Sequence, residues 1–303
     1  MLNSTERPLV TVITPTYNRA HTITGCWESL MRQTNHDFQW LVIDDGSNDN
    51  TKQVIEQLSA QSPDMRIHYV YKENGGKHTA LNVSHPYIEG RYVLILDSDD
   101  TLTPNAVQDV ISAWSRYETN DEVNVMYFYR CDKKGNALAY VRHPNKPLLT
   151  YRERRLSSCH SRDCCDTFKT AAFIKYKFPV FPGERFIGEG AAFLNIELQG
   201  KGVYVDKAIY VCEYLPDGLT QAGRKMRLQN PQGGRYNSEK YMDHRLPFFL
   251  RCKNAMLYIC YSFFAGASVH EALTTTSHKF LVLLNLVPGS LIYRYWKRKF
   301  FGK

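Results

Sequence analysis

An α/β fold built on a mainly parallel sheet is what this sequence predicts, and three stretches predict it. Val10-Thr-Val-Ile-Thr-Pro-Thr-Tyr-Asn18, Leu41-Val-Ile-Asp-Asp-Gly-Ser-Asn48 and Leu94-Ile-Leu-Asp-Ser-Asp-Asp100 are short apolar runs that each end abruptly in polar, turn-forming residues. Apolar runs of this length without alternation suit strands covered on both faces. Open sheets of that kind bind ligands just beyond the carboxyl ends of their strands, so the same stretches forecast where a site lies.

The elements follow in order. After the first strand, residues 19–33 carry Ile23, Trp27, Leu30 and Met31 at helical spacing, an amphipathic helix that packs back on the sheet. A second strand is expected over 38–43, a helix over 48–59 with Val54, Ile55 and Leu58 on one face, and a third strand, from its alternation, over 66–71. Gly75 and Gly76 open a helix over 77–83, and the fourth strand spans 92–96. Strand and helix alternate throughout, so right-handed crossovers in a parallel sheet are the economical topology. A further helix starts at Thr103-Pro104, with proline at the first helical position, and runs to about Tyr117. Strands over 123–130 and 138–141, joined by the turn Asp132-Lys-Lys-Gly135, and shorter, proline-interrupted segments to about residue 214 complete the sheet and wall the site. The expected division is a domain over 1–220, in two halves meeting at 105/106, and a helical region over 221–303.

The last third holds two apolar runs, 255–269 and 280–287, the second ended by Pro288-Gly289. A spanning helix needs about 20 apolar residues, and neither run has them. Residues 291–301 then interleave aromatics with cations, a mixture that sits in a membrane interface and meets anionic lipid. A helix packed on the domain with a solvated basic end accounts for the same residues.

The 303 residues carry a formal charge of +8, and five of those charges, Arg294, Lys297, Arg298, Lys299 and Lys303, lie in the last ten positions. The remaining +3 gives no basic face of the kind nucleic acid needs, so nucleic-acid binding is not expected. Eight cysteines at 26, 131, 159, 164, 165, 212, 252 and 260 show no regular framework. Cys159, His160, Cys164 and Cys165 lack the second paired arm of a structural zinc site, and free thiols in a reducing compartment are the expectation. Met1 to Pro8 is polar and has no apolar stretch of a signal peptide, so a cytoplasmic domain is the expectation.

Asp97 and Asp99 close the fourth strand, where alternate residues point to one side. Two carboxylates so placed hold a hard divalent cation, Mn2+ or Mg2+, with positions left for phosphate oxygens; in isolation they would equally suit a turn that caps the next helix. Asp45, in Asp44-Asp45-Gly46-Ser47, can accept from the N–H of a base and can also cap a helix, while Gly46 lets the backbone turn closely. Gly75-Gly-Lys-His-Thr79 lacks the first glycine of a P-loop, but a helix N-terminus attracts anions, and Lys77 can approach a diphosphate there.

Four motifs in this order and spacing, Val12-Ile-Thr-Pro-Thr-Tyr-Asn-Arg19, Leu41-Val-Ile-Asp-Asp-Gly-Ser-Asn48, Asn74-Gly-Gly-Lys-His-Thr-Ala-Leu-Asn82 and Leu96-Asp-Ser-Asp-Asp100, resemble the glycosyltransferase family 2 enzymes of GT-A fold, of the bacterial surface-polysaccharide type. The resemblance is strong to Asn105, thinner over 123–220 and loose beyond. It implies a mixed, Rossmann-like sheet and transfer of a sugar, with inversion, from a nucleoside-diphosphate sugar, most often a UDP-sugar, to a hydroxyl. It further implies that Pro15 and Tyr17 line the base and ribose pocket, that Asp45 bonds the base, that Asp97 meets the ribose or a metal-bound water, that Ser98 beside it is on the donor side, and that Asp99 ligates the metal. Inversion needs a base on the acceptor side. In the family this carboxylate stands near Phe186-Ile-Gly-Glu189, which makes Glu189 the expected base and Glu184 the alternative; the family's Glu-Asp is Glu189-Gly190 here. Glu213-Tyr-Leu-Pro-Asp-Gly-Leu-Thr220 resembles an acceptor-side segment, and Asp163, Arg224, Arg227 and His244 are further polar residues of this half, His244 more in keeping with a structural role.

The whole reading is a metal-dependent inverting glycosyltransferase at the inner face of a bacterial membrane, acting on a lipid-linked saccharide in envelope polysaccharide assembly such as capsule or O-antigen. A nucleotidyltransferase, or a non-catalytic binder of nucleotide sugars, would share its carboxylates. A dinucleotide dehydrogenase fails for want of Gly-x-Gly-x-x-Gly after the first strand.

Overall fold

The computed structural model describes residues 7–138, 148–156, 164–212 and 219–302. Cys159, His160, Asp163, the end of the expected strand over 138–141 and most of the segment 213–220 lie outside the described residues. The chain divides into two compact units, Met1–Lys177 with Ile196–Glu213, and Phe178–Asn195 with Tyr214–Lys303. This division does not follow a break at residue 220, because 178–195 belongs with the C-terminal helices.

The first unit opens with three strand–helix repeats: β1 (Val10–Thr16), α1 (Ile23–Met31), β2 (Phe38–Asp44), α2 (Thr51–Gln61), β3 (Arg66–Tyr71) and α3 (Lys77–Ser84). It continues through β4 (Tyr92–Ile95), β5 (Thr101–Leu102), α4 (Ala106–Ser115), β6 (Val123–Cys131), β7 (Leu148–Leu149), α5 (Tyr151–Leu156), β8 (Cys165–Lys169) and α6 (Thr170–Phe173). After α7 (Gly190–Glu197) comes the long β9 (Lys201–Val211). The strands form one mixed sheet in the order β3-β2-β1-β4-β8-β6-β9-β5, with β7 on β9. β1 is parallel to β2 and β4, and β2 to β3, so their carboxyl ends share one edge. β8 enters antiparallel between β4 and β6.

Every residue of β1 and β2 is buried, which is why their apolar runs do not alternate. The polar residues among them are paired inside the sheet: Thr11 Oγ1 donates to Gln39 Oε1 (2.9 Å) and Trp40 Nε1 to Thr14 Oγ1 (2.9 Å). Val12, Trp40, Leu94, Val110 and Phe128 sit in a core that α1 and α4 close with Leu30 and Trp114.

The start of the fourth helix differs from expectation. Pro104 is not the first helical residue, because Thr101 and Leu102 pair with β9 and the chain then turns, Ala106 N donating to Thr103 O (3.0 Å). Gln33 secures that turn: its side chain donates to Thr103 O (2.8 Å) and accepts from Val107 N (3.0 Å). The turn at 132–135 forms as read, with Gly135 at φ +80°.

The second unit is helical: α8 (Leu219–Gln229), α9 (Pro231–Lys240), α10 (Phe248–Phe264), α11 (Val269–Thr274), α12 (Lys279–Leu284) and α13 (Leu286–Phe301). Pro288-Gly289 does not end the apolar run; both lie in the first turn of α13, where the missing proline N–H costs no intrahelical bond. No described helix is long and apolar enough to cross a membrane.

Candidate active site

The site residues of the first unit stand at the shared edge where β1, β2 and β4 end, and side chains of one turn hold the backbone of the next. Asn18 takes a left-handed φ of +52°, a conformation its short amide tolerates better than most. Its N–H donates to Ser47 Oγ (2.8 Å), and its Oδ1 accepts from Asn48 N (2.8 Å). Arg19 N donates to Thr51 Oγ1 (3.0 Å) and Ala20 N to Asp49 Oδ2 (3.2 Å). Asp49 also accepts from Thr51 N (3.0 Å), the first N–H of α2. Burial opposes ionisation of Asp49, but the hydrogen bonds from Thr51 and Ala20 hold its carboxyl below the usual range.

Asp45 therefore does not cap α2. Its carboxylate, with the residue only 4% exposed, faces the segment ahead of α3 and accepts from Gly75 N (3.0 Å), Gly76 N (2.7 Å), Asn74 Nδ2 (3.2 Å) and the Lys72 ammonium (2.5 Å). Gly46, at φ +81°, makes this approach possible: a Cβ there would stand 2.6 Å from Asn74 N. A base N–H reaching Asp45 would have to share an oxygen with that loop. Lys72, unremarked in the sequence, is the ion partner of the second aspartate of the motif.

Asp97 and Asp99 do not lie on a strand. β4 ends at Ile95, and residues 97–100 form a turn closed by Asp100 N donating to Asp97 O (3.1 Å). The turn sends its acids to different partners, so alternation along a strand is not what places them. Asp97 accepts from Lys77, and Asp99 lies 3.9 Å from the Arg19 guanidinium, both carboxylates being partly exposed. Burial works against ionisation of Asp97, yet the Lys77 ammonium, its hydrogen bond and the Arg130 charge keep its carboxyl below the ordinary value. Asp100 turns inward: Tyr210 of β9 donates to its Oδ2 (2.8 Å), while the same hydroxyl accepts from Asp97 N (3.0 Å). Burial, with Asp97 and Asp99 nearby, pushes Asp100 up to about 7 although the Tyr210 bond opposes it. The Arg130 guanidinium lies over the Tyr210 ring (4.6 Å). Nothing in the pattern of residues 201–211 signals Tyr210.

Pro15 is buried in β1 and Tyr17, 42% exposed, opens just past its end. The β1–β4 ladder stops at Ile13 with Ile95, and Leu96 N donates to Ile13 O (2.9 Å). Residue 15 is the next on β1 to face β4, and a proline there has no N–H with which to continue the ladder. Ser98 is buried.

Glu189 and Glu184 belong to the second unit. Glu189 stands at the start of α7, its carbonyl accepting from Ala192 N and Phe193 N (both 3.1 Å). Where the family's second acid would follow, a Cβ on Gly190 would meet the Tyr241 hydroxyl at 2.7 Å. Glu184 has other work. Its two oxygens accept from Gln232 N (2.7 Å) and Gly233 N (2.8 Å) and cap α9. Arg224 lies over the Trp296 ring (4.2 Å), and His244, largely exposed, faces Asp243 (3.6 Å).

Among the described residues no group of three or more His, Cys, Asp or Glu could hold a metal ion, and seven cysteines are free thiols. The donor set at 97–99 fits a hard cation of the kind bound by one or two carboxylates plus substrate phosphates and water. Both acids are partly open and each already draws a cation, Lys77 or Arg19.

The model of the family described as glycosyl transferase family 2 matches residues 11–176, more than half of the chain. Chondroitin synthase of Pasteurella multocida (strain Pm70) is 38% identical over 124 residues, 39% of this chain but 13% of that protein's length. Glycosyltransferase GlyG of Streptococcus pneumoniae serotype 4 is 28% identical over 217 residues, covering 67% of this chain and 70% of that protein. Among solved structures, S. aureus TarS 1-349 in complex with UDP superposes with a TM-score of 0.60 at 17% identity, over 96% of this chain and 91% of that one. The mannosyltransferase PcManGT from Pyrobaculum calidifontis, in complex with GDP-Man and Mn2+, gives 0.56 at 18% identity, over 98% and 84%. At such identities the likeness is one of fold, and that fold is GT-A.

Proposed function

The chain belongs to glycosyl transferase family 2, and from that premise we propose that it moves a sugar, with inversion at the anomeric carbon, from a nucleoside-diphosphate sugar to a hydroxyl of a lipid-linked saccharide in bacterial envelope polysaccharide biosynthesis. The observation that carries the reading is the joined set of strand-end turns, in which Asp45 fixes the segment leading to Lys77 and Lys77 meets Asp97. TarS with UDP and PcManGT with GDP-Man support a nucleotide-sugar donor on this fold, and we take UDP first.

In this proposal Tyr17 offers an open aromatic face to the base, Pro15 keeps the cleft beside it from pairing shut, and Asp45 accepts from the base while holding its loop. Asp97, Ser98 and Lys77 contact the ribose and diphosphate, and Asp99 holds Mn2+ or Mg2+. A bound divalent cation stabilises the negative charge that grows on the departing diphosphate. The acceptor oxygen forms its bond to the anomeric carbon as the bond from that carbon to the diphosphate oxygen breaks, and Glu189 takes the hydroxyl proton. We prefer Glu189 to Glu184 for this task because Glu184 already accepts from two backbone N–H groups. The site works at the inner face of the membrane, with the protein held there peripherally by its C-terminal region.

The test is to incubate the chain with UDP- and GDP-sugars, with and without manganese, and identify the released nucleotide. Nucleoside diphosphate is expected, whereas pyrophosphate would mark a nucleotidyltransferase and donor binding without turnover a binding protein. Asp99→Ala should abolish metal-dependent turnover. Glu189→Gln should lower kcat by roughly 10²–10⁴ while donor still raises the melting temperature; an unchanged kcat removes Glu189 from the mechanism.

A further inference from the structure

The outward face of α12 and the first half of α13 is apolar, the reverse of what a helix packed on a fold needs. Phe280 is 80% exposed, Val287 70%, Leu284 60%, Leu291 58% and Leu283 57%. Positions 280, 283, 284, 287 and 291 fall on one helical stripe. The bonding that keeps them aligned passes through the joint between the helices, with Asn285 N donating to Leu281 O (3.2 Å) and Gly289 N to Asn285 O (3.0 Å). On the opposite side Leu281 and Val282 are buried with Tyr258 and Ile259 of α10. The helix pair thus has two apolar faces, and folding uses one.

Past Leu291 the outward positions change to Arg294, Tyr295, Arg298 and Lys299. The aromatic residues between them turn inward: Tyr293 meets Phe263 and Phe264, and Trp296 meets Tyr261. The continuous exposed apolar stripe therefore runs from Phe280 to Leu291, and beyond it exposed Tyr295 stands among cations. No acidic residue follows Glu271 in the sequence, so α12 and α13 bring cations but no carboxylate side chain to this face, which disfavours a second copy of the same face as its occupant.

We propose that this stripe, from Phe280 to Leu291 and continued by Arg294, Arg298 and Lys299, is the surface that docks on an anionic phospholipid bilayer. Its apolar half enters the boundary between headgroups and acyl chains, and its basic half lies on the phosphates. This rests on the peripheral attachment proposed above and names its seat. An apolar patch this size rimmed by charge marks an interaction site, and the one-signed rim selects a surface that is itself negative.

Co-sedimentation of the full chain with sucrose-loaded vesicles, of phosphatidylcholine alone or mixed with phosphatidylglycerol, tests it. The wild type should pellet with the mixed vesicles. Leu284→Glu, Val287→Glu and Leu291→Glu together should weaken that binding at least about tenfold. Arg294→Ser, Arg298→Ser and Lys299→Ser together should remove the preference for phosphatidylglycerol and its salt dependence. Phe280→Ser alone, at the most exposed position, is the gentler variant and should lower binding several-fold with an unchanged melting temperature. Equal binding by the wild type and the apolar triple variant would leave membrane attachment standing but remove it from this face. A wild type that pellets with neither vesicle sinks both ideas. So does a wild-type dimer that the apolar variant makes monomeric while neither binds lipid.

Discussion

In the sheet unit, the turns after β1, β2 and β3 hold one another through side chain to backbone hydrogen bonds, and strands β1 and β2 keep every residue inside. In the helical unit, α12 and α13 put Phe280, Leu284, Val287 and Leu291 outside. The first arrangement spends its polar groups on fixing geometry, as a site for a charged donor requires. The second leaves apolar area that the fold does not use. Stability should therefore be sensitive to polar substitutions at the strand ends and much less so on the outward stripe.

The sharpest trial of that contrast is Asp45→Ala. It leaves the poorly exposed Lys72 ammonium without its counter-ion, with the Glu73 carbonyl still accepting from it, and leaves the Gly75 and Gly76 N–H groups without their acceptor. Breaking a buried ion pair from one side costs about 3–5 kcal/mol, so the urea midpoint should fall markedly and donor binding should vanish. A stable variant that still binds donor would erase the distinction between the two regions.

Glu184→Ala comes next in size. It removes two acceptors from the N-terminus of α9 and should cost about 1–2 kcal/mol, read as a lower melting temperature. Turnover per folded molecule should not change, since this carboxylate caps a helix. A selective collapse of kcat would return Glu184 to the chemistry.

The smallest effect is a pH slope. Burial depresses the His78 pKa, although Asp45 pulls the other way. Unfolded histidine titrates near ~6.5, so below that value the unfolded chain binds a proton that the folded chain resists. Stability is full above this range and falls as pH drops through it, by at most about 1.4 kcal/mol per unit. The Asp100 carboxyl, pushed up to about 7, works in the opposite sense over the same range, so the test is a difference between two chains: the urea midpoint of His78→Gln should lose less on acidification than that of the wild type.

How much the sequence disclosed follows from where the determining contacts lie. β1, β2 and β4 were legible because burial on both faces writes itself as continuous apolar runs, whereas β3, half-buried along most of its length, showed itself only by alternation. The family motifs located the strand-end turns correctly, but not what each side chain does there. Asp97 and Asp99 read as neighbours on a strand face, whereas a turn distributes 97–100 among Lys77, Arg19 and Tyr210. Lys72 and Tyr210 gave no signal, since their partners are 27 and 110 residues away in the chain. In the C-terminal third, the apolar and cationic letters were visible, but not which of them faced inward. Tyr293 and Trp296 attracted the membrane reading, and packing on α10 takes both rings.

The Tyr210 hydroxyl has one more implication. Residues 11–176, the span matched by the family model, stop short of the strand that carries it, so an excised fragment of that length would lose the tether on Asp97 and Asp100. It would also lose the partner of β5, β6 and β7, exposing raw sheet edges that invite aggregation. A minimal autonomous version of the donor-binding half must therefore extend through Val211, and swaps between relatives need to carry that distant segment along with the motifs it steadies.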